Sequence, residues 1–286
     1  MKAITTPDQG LLSRLPLSRS MSLGIVAAGM LAQAKAINVD SELVLLVDAT
    51  QAGLTNNQFN RLMDGYATSF SGTQILDSIQ SGAYGKIAVS LMFFGNSNSY
   101  EVGIPWMLVE NSTQALQLAT LLQNVNRPTF TGGSNVAAAL TSAAFTFGTE
   151  TGAASNGFES EVQMIEVVAS RVPTASAAAA TAAASNIVRA AGVDQINSVA
   201  VGNATTTAAI DAFYSANVIG STIPDAPATS TTSALTATAL ATNLASSINN
   251  TVQTGATTSV TTAVPESGTS FAFAAGVILL LKRRRR

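Results

Sequence analysis

The residue best placed to do chemistry is Asp48. It closes a continuous apolar run, Glu42–Asp48 (ELVLLVD), and is followed two positions on by the hydroxyl of Thr50. Two other places offer side-chain oxygen near the end of a segment: Ser134 in Gly132-Gly133-Ser134-Asn135, and Ser170, just past the apolar Val162–Val168. Carboxylate and hydroxyl oxygens are hard donors, suited to a divalent ion or to hydrogen-bonded recognition of a partner. Much other chemistry is excluded, because the 286 residues contain no Cys and no His. A thiol nucleophile, a thiolate zinc site and a Ser-His-Asp triad all require what is missing.

The remaining leads are weaker. Glu159, Glu161 and Glu166 cluster around Val162–Val168, but in an extended chain Glu166 falls on the face opposite the other two. They form no acid/base pair and read as solvated strand edges. Gly82-Ala83-Tyr84-Gly85-Lys86 fails as a phosphate loop, since Gln80 holds the earlier glycine position and Ile87 follows the lysine. Trp106 sits in an apolar run and reads as core. The sequons at Asn111 and Asn203 mark exposed turns. No residue set points to an enzyme.

The elements that must position Asp48, Ser134 and Ser170 follow from periodicity. Glu42–Asp48 reads as a central strand buried on both faces. Thr55-Asn56-Asn57-Gln58 is a capping box, and Phe59, Leu62, Met63, Tyr66 and Phe70 then repeat at helical spacing. Lys86–Phe94 and Val102–Val109 form a hairpin across Gly95–Ser99. Helices are expected at Ser112–Gln123, Val136–Phe145, Ala175–Ala191, around Ile210–Tyr214 and at Leu240, Leu244 and Ile248; further strands lie at Val162–Val168 and Ile196–Val201. Thr251–Ala263 lacks apolar periodicity and reads as a linker. Strands alternating with helices predict a doubly wound α/β fold with a mostly parallel sheet and one antiparallel edge strand. Ligands of such sheets sit at the carboxyl ends of strands, where Asp48, Ser134 and Ser170 fall.

Charge sorts the chain into a body and two ends. Of 14 basic residues, four precede residue 37 and five close the chain (Lys282–Arg286); residues 37–263 keep five against 14 acids, a net of 5 − 14 = −9. An acidic body disfavours nucleic acid and anionic membrane as partners. At the N-terminus Lys2, Arg14 and Arg19 precede an apolar Met21–Leu31 and Ala34-Lys35-Ala36, the order of a secretory signal with cleavage by signal peptidase after Ala36. The C-terminus runs Val264-Pro265-Glu266-Ser267-Gly268, an apolar Phe271–Leu281, then Lys282, Arg283 and three more arginines. The apolar run is short for a bilayer, and the basic cluster would hold it at the cytoplasmic face. This order resembles the PEP-CTERM sorting signal of Gram-negative-type bacteria, with Ser267 in place of the usual second proline. The resemblance implies membrane insertion through the tail before cleavage by an exosortase-like enzyme. The expected organisation is 1–36 signal peptide, 37–249 domain, 250–263 linker and 264–286 sorting tail.

The body carries a second resemblance. Val47-Asp48-Ala49-Thr50-Gln51-Ala52 looks like the opening of a von Willebrand factor A domain, whose metal-ion-dependent adhesion motif is Asp-x-Ser-x-Ser. Gly65-Tyr66-Ala67, Gly85–Val89, Val102–Trp106, Gly132–Val136, Ala200-Val201-Gly202 and Tyr214–Gly220 follow in an order similar to a bacterial von Willebrand A-like family of uncharacterised function. The likeness spans about residues 38 to 249. It implies an adhesion site in which Asp48 matches the first aspartate, Thr50 the first serine and Ser134 the family's threonine. Ala52 replaces the second serine, Ser170 stands for the final aspartate, and Arg171 adds a positive charge. Magnesium held by Asp48, Thr50 and Ser134 alone would bind weakly, so no cofactor is expected. Asp48 is alternatively a strand-end acid satisfied by Ser134, Thr50 or backbone amides. The sequence therefore reads as an exported module of the cell surface or extracellular matrix. It either binds an unknown protein or glycan through Asp48, Thr50, Ser134 and Ser170, or serves as a structural spacer in the exopolysaccharide layer.

Overall fold

The computed structural model describes residues 36–96, 99–148 and 155–262. The signal segment expected up to residue 35 and the sorting tail expected with Val264, Pro265, Glu266 and Arg283 lie outside the described residues. Among the described residues, no helix is long and apolar enough to cross a membrane.

The described residues form nine strands and seven α-helices: β1 (Ile37–Val39), β2 (Ser41–Asp48), α1 (Asn56–Ser71), α2 (Thr73–Gln80), β3 (Ile87–Phe94), β4 (Tyr100–Val109), α3 (Ser112–Asn124), α4 (Val136–Phe147), β5 (Phe158–Ser160), β6 (Gln163–Ala169), α5 (Ala178–Ala190), β7 (Gln195–Gly202), α6 (Ala204–Asn217), β8 (Gly220–Ser221), β9 (Ser230–Ala234) and α7 (Ala237–Thr262). The main sheet runs β4-β3-β2-β6-β7, and β7 also pairs with β8 and β9. β2, β3, β6, β7 and β9 are parallel; β4 is the antiparallel edge strand expected, and the two-residue β8 is antiparallel as well. Counting its six longer strands in chain order, the sheet reads 3-2-1-4-5-6. The order reverses between β2 and β6, so their carboxyl ends border the crevice where doubly wound sheets place ligands. β1 pairs only with β5.

Each face of the sheet carries its own core. Leu43, Leu45 and Val47 of β2 point to one face, with Phe59, Leu62, Tyr66 and Phe70 of α1 and residues of α2, α3 and α7. Val44 and Leu46 point to the other, under α4, α5 and α6. This two-sided burial is why β2 is apolar at every position between Glu42 and Asp48. The capping box is formed as expected, with Gln58 N donating to Thr55 Oγ1 and Thr55 N to Gln58 Oε1. Trp106 is half-buried against Phe147 and donates its indole N–H to the Thr146 carbonyl at 2.8 Å.

Two expectations are corrected. Residues 250–262 are not a linker: α7 continues through them and buries Thr251, Val252, Gly255, Ala256 and Ser259. The stripe is made of small residues rather than large apolar ones, so composition hides it. The threonine hydroxyls are satisfied by the helix itself, Thr254 Oγ1 donating to Asn250 O and Thr258 Oγ1 to Thr254 O. Glu166 is not a solvated strand edge either. It points from β6, at the centre of the sheet, into the α1–α7 side, with no exposed surface. Tyr66 Oη donates to it at 3.3 Å, Ser247 Oγ at 3.0 Å and Thr251 Oγ1 at 3.4 Å.

Burial drives the Glu166 carboxyl up to about 7 against the three hydroxyls, which favour its charged form. The unfolded chain releases this proton near its ordinary 4.5. Between those values only the folded state binds it, so stability falls as pH rises through the window and is flat above, a loss of about 3 kcal/mol. Glu166→Gln is therefore expected to gain on the wild type by about 2–3 kcal/mol between roughly pH 5 and pH 8 in urea denaturation; parallel profiles would refute the assignment. Ending the chain at Asn249 is expected to abolish cooperative unfolding or lower stability by more than about 3 kcal/mol, whereas loss of a true linker would leave the midpoint unmoved.

Candidate functional site

The site is built where β2 stops. Asp48 is 1% exposed. Its Oδ1 accepts from Thr50 N at 3.0 Å and Thr50 Oγ1 at 2.7 Å, an Asx-type turn that swings the chain off the strand. Its Oδ2 accepts from Ser134 Oγ at 2.5 Å, joining the loop after β2 to the loop between α3 and α4. Backbone bonds support that junction. Gln51 N donates to Phe130 O at 3.3 Å, and Asn135 N donates to Gly95 O at 2.7 Å. Asn135 also caps α4 by accepting from Ala138 N.

The third loop enters beside these two. β6 ends at Ala169, and Ser170, 6% exposed, packs under the tip of the β2 loop. A Cβ on Gly53 would lie 2.0 Å from Ser170 Oγ, so the loop closes this tightly only because residue 53 lacks a side chain. Ser170 Oγ itself has no hydrogen-bond partner among the described residues. The structure thus brings Asp48, Thr50 and Ser134 into direct contact and sets Ser170 beside them without a bond. Asp48, Thr50 and Ser170 are buried, and only Ser134 of the four reaches solvent. As a surface for direct contact by a partner, the set Asp48, Thr50 and Ser170 is corrected: strand-end burial makes these residues supports.

Two arginines complete the rim. Arg127, which the sequence reading passed over, donates from Nε to Ala49 O at 3.1 Å, from Nη2 to Thr50 O at 2.6 Å and from Nη1 to Asn56 Oδ1 at 3.0 Å. Its guanidinium also lies over the Phe59 ring, 5.4 Å from the centroid. Only the scarcity of basic residues in the body singled it out. Arg171, the first residue past β6 to reach solvent after Ser170, leans on Gly132 O through Nη1 at 3.4 Å.

Electrostatics follow from burial. Desolvation pushes the Asp48 carboxyl above its ordinary value; the Ser134 and Thr50 hydrogen bonds and the positive charge of Arg171 act in the opposite direction. Partial burial lowers Arg127, which the Asp48 charge partly offsets. The oxygens available to a cation are the Asp48 carboxylate and the hydroxyls of Thr50 and Ser134, while Ala52 contributes none. Among the described residues, no group of three acids, histidines or cysteines could hold a metal ion.

A sheet of this order with helices on both faces is a doubly wound α/β fold, and an aspartate and hydroxyls from the loops stand at its switch point. Residues 38–226 match the family described as protein of unknown function DUF1194, and the chain belongs to that family. No curated protein matches the sequence. Among solved structures, proximal thread matrix protein 1 from the mussel byssus is similar over 76% of this chain and 48% of its own, at 14% identity and a TM-score of 0.48. The pilus adhesin SpaC from Lactobacillus rhamnosus GG is similar over 78% of this chain and 31% of its own, at 15% identity and 0.47. The chain therefore spans half or less of either protein. The von Willebrand domain of the type V pili tip protein Mfa5 from Porphyromonas gingivalis is covered over 96% of its length and 77% of this chain, at 9% identity and 0.47.

Asp48→Ala leaves Thr50 N, Thr50 Oγ1 and Ser134 Oγ without their acceptor and is expected to cost about 2–4 kcal/mol of folding stability. Asp48→Asn, which keeps an acceptor of the same shape, is expected to cost about 1 kcal/mol. Denaturant midpoints for both equal to the wild type would mean that the carboxylate holds nothing together.

Proposed function

We propose that the protein is an exported, non-enzymatic binding module of the cell surface or extracellular matrix, and that it engages a protein or glycan through the rim formed by the loops after β2, β6 and α3 without using a metal ion. The observation that carries this reading is the state of the Asp48 carboxylate. Both oxygens already accept hydrogen bonds from the chain, and two guanidiniums lie nearby. A divalent ion would have to share a single carboxylate with Thr50 and Ser134 and sit close to two positive charges. Magnesium gives up water reluctantly and needs more anionic oxygen than this. The donor set does not fit a divalent cation.

The absence of Cys and His from the sequence favours binding over catalysis. Glu166, raised to about 7, is sealed beneath α1 and α7, out of reach of a substrate. Export through the signal segment, and sorting by an exosortase-like enzyme acting around Val264, Pro265, Glu266 and Arg283, belong to the same proposal and rest on sequence alone. In the alternative reading the domain is a structural spacer of the exopolysaccharide layer, indifferent to its rim.

Gly133 separates the two readings. It is exposed, and a Cβ added there meets no atom within 4 Å, so Gly133→Trp can be expected to fold while covering the rim. Microspheres coated with the protein are expected to adhere to the surface of producing cells, to do so equally in EDTA, and to lose adhesion about tenfold or more with Gly133→Trp. Unchanged adhesion of that variant would move the interface off the rim, failure of the wild type to adhere would favour the spacer reading, and micromolar magnesium binding by calorimetry would overturn the metal-free one.

A further inference from the structure

The two arginines at the rim have the same charge and different fates. Arg127 is held by Ala49 O, Thr50 O and Asn56 Oδ1, so its donors are directed into the protein. Arg171 gives one long bond to Gly132 O, and its other donors have no partner among the described residues. It follows Val168 and Ala169, which end β6, and Ser170, all three of them buried. Around it lie small, neutral, exposed positions: Ala52, Thr131, Gly132 and Gly133. The charges at the rim sum to +2 for Arg127 and Arg171 and −1 for Asp48, a net of +1, the same as a divalent ion on one carboxylate. The guanidiniums thus occupy the electrostatic place of a metal.

Resting on the rim-binding reading above, we infer that Arg171 is the recognition residue of this surface, and that it takes the side-chain carboxylate of an Asp or Glu on a protein partner directly, with no bridging cation. A guanidinium presents parallel N–H donors that match the two oxygens of a carboxylate. The number of charges selects the source. One outward cation at the rim of a body of net charge −9 (residues 37–263, five basic against 14 acidic) suits a single carboxylate. A polyuronate would bring many negative charges up to an acidic surface, where like charges repel.

The test uses an acetylated, amidated hexapeptide whose one charge is an Asp, its Asn counterpart, and oligogalacturonate, each titrated into the protein in EDTA. The readout is the NMR shift of the Arg171 Nε–H and of the Gly132 and Gly133 amides. Saturable shifts are expected with the Asp peptide and none with the Asn peptide. Arg171→Gln should weaken binding about tenfold or more while still unfolding cooperatively, with only a small fall in midpoint from the positive charge lost beside Asp48. Equal binding of the Asn peptide, tighter binding of oligogalacturonate, unchanged binding by Arg171→Gln or a flat titration would each overturn the inference. Failure here is distinguishable from failure of the rim reading: if Gly133→Trp abolishes cell adhesion and Arg171→Gln does not, the rim stands and the carboxylate contact falls.

Discussion

A carboxylate buried at the end of the central strand constrains everything around it. β2 is covered on both faces, so the acid that closes it cannot escape to solvent. An unpaired carboxylate at such a place would cost several kcal/mol. The chain meets that cost with a backbone N–H and a hydroxyl from Thr50, a second hydroxyl from Ser134 and the field of Arg171. Those same bonds fasten the loop after β2 to the loop before α4. Arg127 then fixes the first of these loops from below through Ala49 O and Thr50 O. The rim is therefore organised before anything binds to it, and little loop-ordering entropy remains to oppose association.

The same solution recurs through the molecule and explains an odd composition. Only 10% of residues are charged, so cations are scarce as partners for acids placed inside. Hydroxyls take their place. Asp40 accepts from Ser259, Glu42 from Ser160, Asp48 from Thr50 and Ser134, Glu166 from Tyr66, Ser247 and Thr251, and Asp194 from Thr222. A hydroxyl stabilises a carboxylate less than a guanidinium does. That is why burial prevails at Asp48, Glu166 and Asp194, and each titrates above its ordinary value. The domain is consequently built to gain stability as the medium turns mildly acidic.

What the sequence disclosed followed the size of the side chains. ELVLLVD announced β2 because seven consecutive residues carry the two-sided burial, and α1 was legible from its capping box and the spacing of Phe59, Leu62, Met63, Tyr66 and Phe70. The fold class followed from the alternation of such segments. The C-terminal half of α7 was illegible because Thr251, Gly255, Ala256 and Ser259 pack by being small, and small residues also compose linkers. β9, Ser-Thr-Thr-Ser-Ala, carries no large apolar residue; its pairing with β7 and the contact between Ser198 and Ser230 hold it in the sheet. Glu166 was misplaced because alternation assigns a face and not a depth. At the site, Asp48, Thr50 and Ser134 were found by their order, since a shared carboxylate leaves a short local signature. Arg127 was missed because it reaches its partners from residues about 77 positions away in the chain.

The division of labour between Arg127 and Arg171 bears on how such a rim works. Internal hydrogen bonds make the first a fixed part of the loop scaffold, and desolvation there lowers its pKa without supplying a contact to any partner. The second follows the buried end of β6. On the proposed carboxylate contact, attraction is confined to a few ångströms around one guanidinium, whereas the acidic body repels an acidic partner at longer range. Salt screens the longer-range part more strongly, with a screening length of about 8 Å under physiological conditions. Encounter is then slowed at low ionic strength by the body's field, while the close contact, once made, is weakened less by salt than that repulsion is. A surface built in this way would discriminate by local geometry and leave little to electrostatic steering.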